Sequence, residues 1–227
     1  MIEGKSYRFV VSGLYDGLFV MEDTQTRTLW SHMTGEGLSG EHAGYQMPVS
    51  NLLHMSVAQA LAMDSAMKIA ISERPFNSRR GRRMRASRFS ADRPGEQLRP
   101  MFVQTLGEED TRVERMDMGL GVWNDNTQKY YSVKVLREKG NYLLDEMAGQ
   151  KLLVFLDPLT STPTALYWYT ETVSIEGRKI NLSDGYSIQT GQIFDSEGEL
   201  VKVEKPQQMF TRWYGFSLSF PDPEIIE

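Results

Sequence analysis

Three histidines, two isolated acids and one run of arginines are the residues here whose types could carry chemistry. His32, His42 and His54 fall within the first 54 residues, and His32 stands four positions before Glu36. With Glu41 they could offer imidazole and carboxylate ligands to a cation. Metal sites are recognised by regular ligand spacing, and three histidines spread irregularly through loops match no such signature, so no metal is expected. Asp157 follows an apolar run that reads as a central strand, a place where ligands often sit. Neither Asp157 nor Asp195 has a second acid at a defined spacing for general acid–base work, and Asp before Pro158 is also a common turn residue. No Gly-x-Ser-x-Gly elbow occurs, so no nucleophile can be assigned. If a pocket exists, His32, Glu36 and Asp157 beside the glycine-rich stretch 35–44 are the residues expected to line it. No cofactor is expected.

The arginine run is the strongest charge feature. Arg74, Arg79, Arg80, Arg82, Arg83, Arg85, Arg88 and Arg93 face one acid, Asp92, inside a chain of net charge −5. Arginine pairs bidentately with carboxylate and phosphate, and no lysine interrupts the run. Only Phe76 and Phe89 are interleaved with it, too few for a single-strand stacking platform, and the acidic whole opposes non-specific DNA binding, so nucleic acid is not the expected partner. The expected partner is an acidic protein or a larger, membrane-associated assembly, engaged through Arg79, Arg80, Arg82, Arg83, Arg85 and Arg88. The role expected is therefore non-catalytic binding. The alternative is an enzyme or a binder of a small ligand or metal, with its site near Gly35–Gly44 and Asp157.

These residues must be positioned by a mainly β scaffold. Strands are expected at Arg8–Val11, Leu18–Glu22 and Thr28–Ser31, with Asp16-Gly17 supplying a tight hairpin turn. Ser56 with Gln59 makes a capping box that opens a helix near 56–67, with Val57, Ala60, Leu61 and Met67 as its apolar stripe. Further strands are expected at 68–72, 101–105 and 120–123. Alternation marks 131–135 and the stretch from Phe210 to Phe220, and Leu152–Leu156 reads as a buried central strand. Turns at Glu176-Gly177, Asp184-Gly185 and Glu197-Gly198 divide residues 171–203 into hairpins.

The expected architecture is antiparallel β-sheets in a single domain over 1–227. Its possible halves are 1–72 and 101–227, joined by an arginine-rich excursion at 73–100. A shared rhythm, Thr26 to Trp30 and Thr190 to Phe194, each followed by a Gly-Glu pair, suggests two related β-units. The chain has 227 residues, 40% of them apolar, enough for a sizeable core. It has no cysteine, which removes disulfides, thiolate nucleophiles and zinc–thiolate sites. The start, Met1 to Gly17, has neither the basic head nor the apolar run of a signal peptide, so a cytoplasmic location is expected.

Several segments resemble one known family. Ser12-Gly13-Leu14 leads into Leu18-Phe19-Val20-Met21. Asp23 to Ser31 (Asp-Thr-Gln-Thr-Arg-Thr-Leu-Trp-Ser), then Thr34-Gly35-Glu36, Gly40 and Gly44, follow. This stretch is similar to the central signature of domain-of-unknown-function family 3179. Asp157-Pro158-Leu159-Thr160-Ser161 resembles that family's Cys-Pro-Leu-Cys-Gly-Ser block, and Trp213 to Asp222 resembles its tryptophan-to-Pro-Asp end. Where relatives often carry two cysteines this chain has Asp157 and Thr160, so any metal or redox chemistry of such a pair is lost here. The blocks also stand in a different order. The resemblance implies a β-rich fold and no particular activity.

Overall fold

The structure is a computed structural model, and it describes residues 2, 4–71, 98 and 100–227. The six arginines expected to dock a partner, Arg79 to Arg88, lie outside the described residues, as does most of the excursion that carries them.

The N-terminal sheet is an antiparallel meander of β1 (Phe9–Tyr15), β2 (Leu18–Asp23), β3 (Leu29–Ser31) and β4 (Gly37–Ser39), hydrogen-bonded in that order. Asp16 and Gly17 both have positive φ, 48° and 69°, the backbone a two-residue hairpin turn requires. The glycine-dense stretch is not loop alone, because it contains β4. A Cβ on Gly37 would come within 2.1 Å of the His42 carbonyl oxygen, so the backbone can close here only without a side chain.

The remaining strands form three further sheets. One runs β15–β5–β6–β16, from β5 (Met118–Trp123), β6 (Gln128–Ser132), β15 (Gln207–Arg212) and β16 (Glu224–Ile226). Its β6–β16 pair is parallel and its other pairs antiparallel. The second is β7 (Tyr142–Met147), β8 (Gln150–Leu156) and β9 (Pro163–Tyr167). The third is a meander of β10 (Val173–Glu176), β11 (Lys179–Leu182), β12 (Ser187–Gln189), β13 (Gln192–Phe194) and β14 (Leu200–Val201).

Strand β8 lies between two cores. Successive side chains of a strand point to opposite faces. Leu152, Val154 and Leu156 pack with Leu120, Val122 and Tyr131 of the β5–β6 sheet. Leu153 and Phe155 pack with Ile180, Ile188 and Ile193 of the meander. A strand buried on both faces has no polar face to alternate, which is why it reads as an unbroken apolar run. Each such side chain, taken fully out of water, contributes roughly 1.5–3 kcal/mol. A third core covers the outer face of the β5–β6 sheet, where Trp123 and Tyr130 meet Trp213 and Phe216.

The helices are short, and here the structure corrects several expectations. Helix α1 (Val57–Met63) has the capping box but ends before the expected Met67, and its apolar stripe is outside: Val57 is 56% exposed and Leu61 41%, while Gln59 is the buried residue. Residues 68–71 form no strand. Pro100–Val103 is a helical turn, α2, rather than a strand, since proline suits the first turn of a helix. Strand β6 stops at Ser132, whose hydroxyl caps α3 (Val133–Glu138), so Val133 and Val135 are helical. The expected strand from Phe210 to Phe220 breaks at Arg212 into β15 and then α4 (Trp213–Ser219). Trp213, Phe216, Ser217 and Phe220 recur at helical spacing, and three of them are buried. Tertiary packing of that stripe outweighs the alternating aromatics that suggested a strand. Among the described residues no helix is long and apolar enough to cross a membrane.

Candidate functional site

A strap of chain, residues 47–54, crosses the edge of β15 and is fastened there by one side chain. Asn51 donates from Nδ2 to the Pro206 carbonyl at 2.7 Å and accepts at Oδ1 from the Gln208 amide at 3.0 Å. Its carboxamide imitates one peptide group of an added strand. Gln208 repeats the device toward the next layer. It accepts the Ala165 N–H at 2.7 Å and donates to the Ala165 carbonyl at 2.8 Å, tying β15 to β9. Four backbone groups along these edges, from Pro206, Gln208 and Ala165, are thereby satisfied.

Between the strap, the turn after β3 and the face of β15 lies a cleft of about 470 Å³. Met21 and Met33 come from the first sheet, Met47 from the strap and Met209 from β15, while Trp123 and Phe210 supply aromatic wall. Met33 and Trp123 in this lining are buried, 5% exposed each. The volume falls within the range of small-molecule sites, and thioether side chains adapt to varied apolar shapes.

Two imidazoles stand in the lining, His32 and His54. His32 Nδ1 lies 2.6 Å from the Phe19 carbonyl oxygen, so Nδ1 carries the proton, and Nε2 is the ring nitrogen left over. His54 meets the Phe210 ring edge-on, with centroids 5.7 Å apart. His42 is elsewhere: its Nε2 is 3.1 Å from the Tyr7 hydroxyl, and its ring packs with Trp30 and Tyr45. Among the described residues no group of three or more His, Asp or Glu side chains gathers as a metal site would.

Neither of two neighbouring hollows holds the whole expected trio. His32 lines the cleft. Glu36 lines a smaller hollow of about 160 Å³ with Asp16, Phe19 and Leu218. Asp157 lines neither. Its Oδ1 accepts from the amides of Leu159 and Thr160 at 3.0 and 2.8 Å and from the Thr160 hydroxyl at 2.9 Å. Gln59 donates to both carboxylate oxygens, at 3.3 and 3.4 Å, from α1. Asp157 thus caps the turn after β8 and holds a helix against it. Asp157 and Thr160 are joined by a hydrogen bond.

The Asp-Thr-Trp signature is also structural. Asp23, fully buried, accepts from the amides of Gln25 and Thr26 at 3.1 and 2.6 Å. It also accepts from the Thr26 hydroxyl at 2.7 Å and the Trp30 indole at 3.0 Å. Burial would push its carboxyl up, but these four donors outweigh it and hold the pKa at about 2. Asp117, under β6, goes the other way. Burial raises it despite hydrogen bonds from Ser132 and Tyr130, and its carbonyl anchors Trp213 at the start of α4.

The cleft residues carry little sequence signal. They come from separate segments, and a methionine looks the same whether it fills a core or lines a pocket. The high methionine count, 13, was the available hint.

Fold and cleft define a layered β protein with a methionine-lined cleft at the junction of two sheets. The chain belongs to the family described as Protein of unknown function (DUF3179), whose model matches residues 1–222. No curated protein and no solved structure matches it.

Proposed function

We propose that this protein is a non-catalytic binding protein that holds a small, mainly apolar molecule in the methionine-lined cleft. The observation that carries the reading is the cleft's composition: about 470 Å³ walled by four thioethers and two aromatic rings, with the imidazoles of His32 and His54 as its titratable groups. Such a lining favours a neutral ligand with few polar atoms, which one imidazole nitrogen can orient. The neutral fluorophore N-phenyl-1-naphthylamine tests it. Saturable one-to-one enhancement is expected, weakened at least tenfold by Met209→Trp or Met47→Trp, which fill the cleft. Absence of saturable binding, or equal binding by the filled variants, would sink the reading.

The arginine run supports a second activity, docking to an acidic partner. Its support is the sequence: eight arginines against one acid within 74–93. Replacing Arg79, Arg80, Arg82 and Arg83 by Ser is expected to leave the melting temperature unchanged and to abolish a stoichiometric acidic partner in native mass spectra of gently isolated protein. Partner retention at physiological salt would remove docking without touching the cleft.

A further inference from the structure

A second hollow, remote in composition from the methionine cleft, lies where β13 and β14 meet β9. Its volume is about 370 Å³, and Leu166, Ile193, Val201 and Val203 give it aliphatic walls. The charged groups of its lining are Lys202 and Lys205, and no acid belongs to it. Lys205 reaches back from the segment before β15 to the turn between β12 and β13. There Thr190 and Gly191 have positive φ, 51° and 67°, and its ammonium donates to the Gly191 carbonyl at 3.0 Å.

The contrast with Lys129 gives this arrangement meaning. Lys129, 6% exposed, is neutralised by Asp145 at 2.9 Å and Glu224 at 3.5 Å. An internal ammonium needs such partners, because removing a charge from water is costly unless it is paired. Lys205 is half-buried and, among the described residues, no carboxylate stands within salt-bridge distance of it. Burial pushes its ammonium below the usual lysine range. A neutral carbonyl satisfies one of its three donors and none of its charge.

We propose that this hollow binds an anion carried on a short aliphatic chain, its carboxylate paired with Lys205 and its chain against Leu166, Ile193, Val201 and Val203. Lys202, exposed, adds a second positive charge to the same lining. The site is independent of the methionine cleft and of the reading built on it.

Isothermal titration with octanoate tests the proposal, with 1-octanol as the uncharged chain of equal length. Octanoate is expected to bind one-to-one and at least tenfold more tightly than octanol. Lys205→Gln keeps a donor for the Gly191 carbonyl but removes the charge, and is expected to lose that preference. Lys205→Arg is expected to keep it. Filling the other cleft with Met47→Trp is expected to leave octanoate binding unchanged. Equal affinity for octanoate and octanol in the unmodified protein would overturn the site even if no variant folds. So would octanoate binding that survives Lys205→Gln, or binding abolished by Met47→Trp.

Discussion

Asp23 shows how much one side chain can organise. Its two oxygens take four hydrogen bonds, two from the backbone of the turn it starts, one from the Thr26 hydroxyl and one from the Trp30 indole on the next strand. The carboxylate is therefore bound more strongly charged than neutral, and the folded pKa of about 2 lies below the ordinary 3.8. A depressed acid contributes stability above its unfolded pKa and loses it as pH falls through the folded value. Stability is expected to drop between pH 3.8 and about 2, by on the order of 1–2 kcal/mol from this group. Asp23→Asn is expected to cost about 1–3 kcal/mol at pH 7 and to flatten the acid limb of a urea-denaturation pH series. An unchanged acid limb would show that Asp23 is not its source. The sequence displays this motif openly, because Asp23, Thr26 and Trp30 all fall within one short stretch. The role of Asp157 is less legible, since its partner Gln59 is 98 residues away.

At the scale of elements, α1 is held by a polar attachment rather than by its apolar stripe, whereas α4 is held by buried Trp213 and Phe216. A seven-residue helix is not stable alone in water. Gln59 completes the capping box, accepting the Ser56 N–H at 2.9 Å, while its amide group donates to Asp157. One side chain therefore both starts α1 and docks it. Gln59→Ala is expected to cost about 1–2 kcal/mol locally and to speed hydrogen exchange at the Ala60 and Asp64 amides, which bond within the helix. Unaltered exchange there would mean that α1 is held by something else. The capping box was legible from two residues at a fixed spacing. The buried face was not, because periodicity assigns Val57 and Leu61 inward, and only the distant Asp157 makes Gln59 the residue worth burying. The strand-to-helix break at Arg212 was hidden for a similar reason. Phe210, Tyr214 and Phe216 fit a period of two, and the cover required by Trp123 and Tyr130 decides for the helix.

At the scale of the molecule, the sheets stack with β8 as the shared layer, and the ligand-sized spaces lie where layers fail to meet. The strand content and the central strand could be read from alternation and from one apolar run. Which sheets pack together could not, since β5 pairs with β15 across some 80 intervening residues and no local pattern encodes that distance. The two copies of the Thr26 rhythm fall on β3 and β13, each within an antiparallel meander, though in sheets of four and five strands. The tethers at Asn51 and Gln208 are single amides in ordinary surroundings, and they become meaningful once the edges they bridge are known.

The pairing of β5 and β6 with β15 and β16 has a consequence for how the chain is made. A ribosome delivers residues 118–132 long before residues 207–226. Until then the outer face of the hairpin, with Trp123 and Tyr130, lacks Trp213 and Phe216, and its two edges lack their strands. The nascent chain therefore carries an aromatic, open-edged hairpin from the time Ser132 is made until Gln207 and the residues after it arrive. Such surfaces invite aggregation and recruit chaperones. The sheet and its aromatic cover are completed only when the late-arriving segment docks.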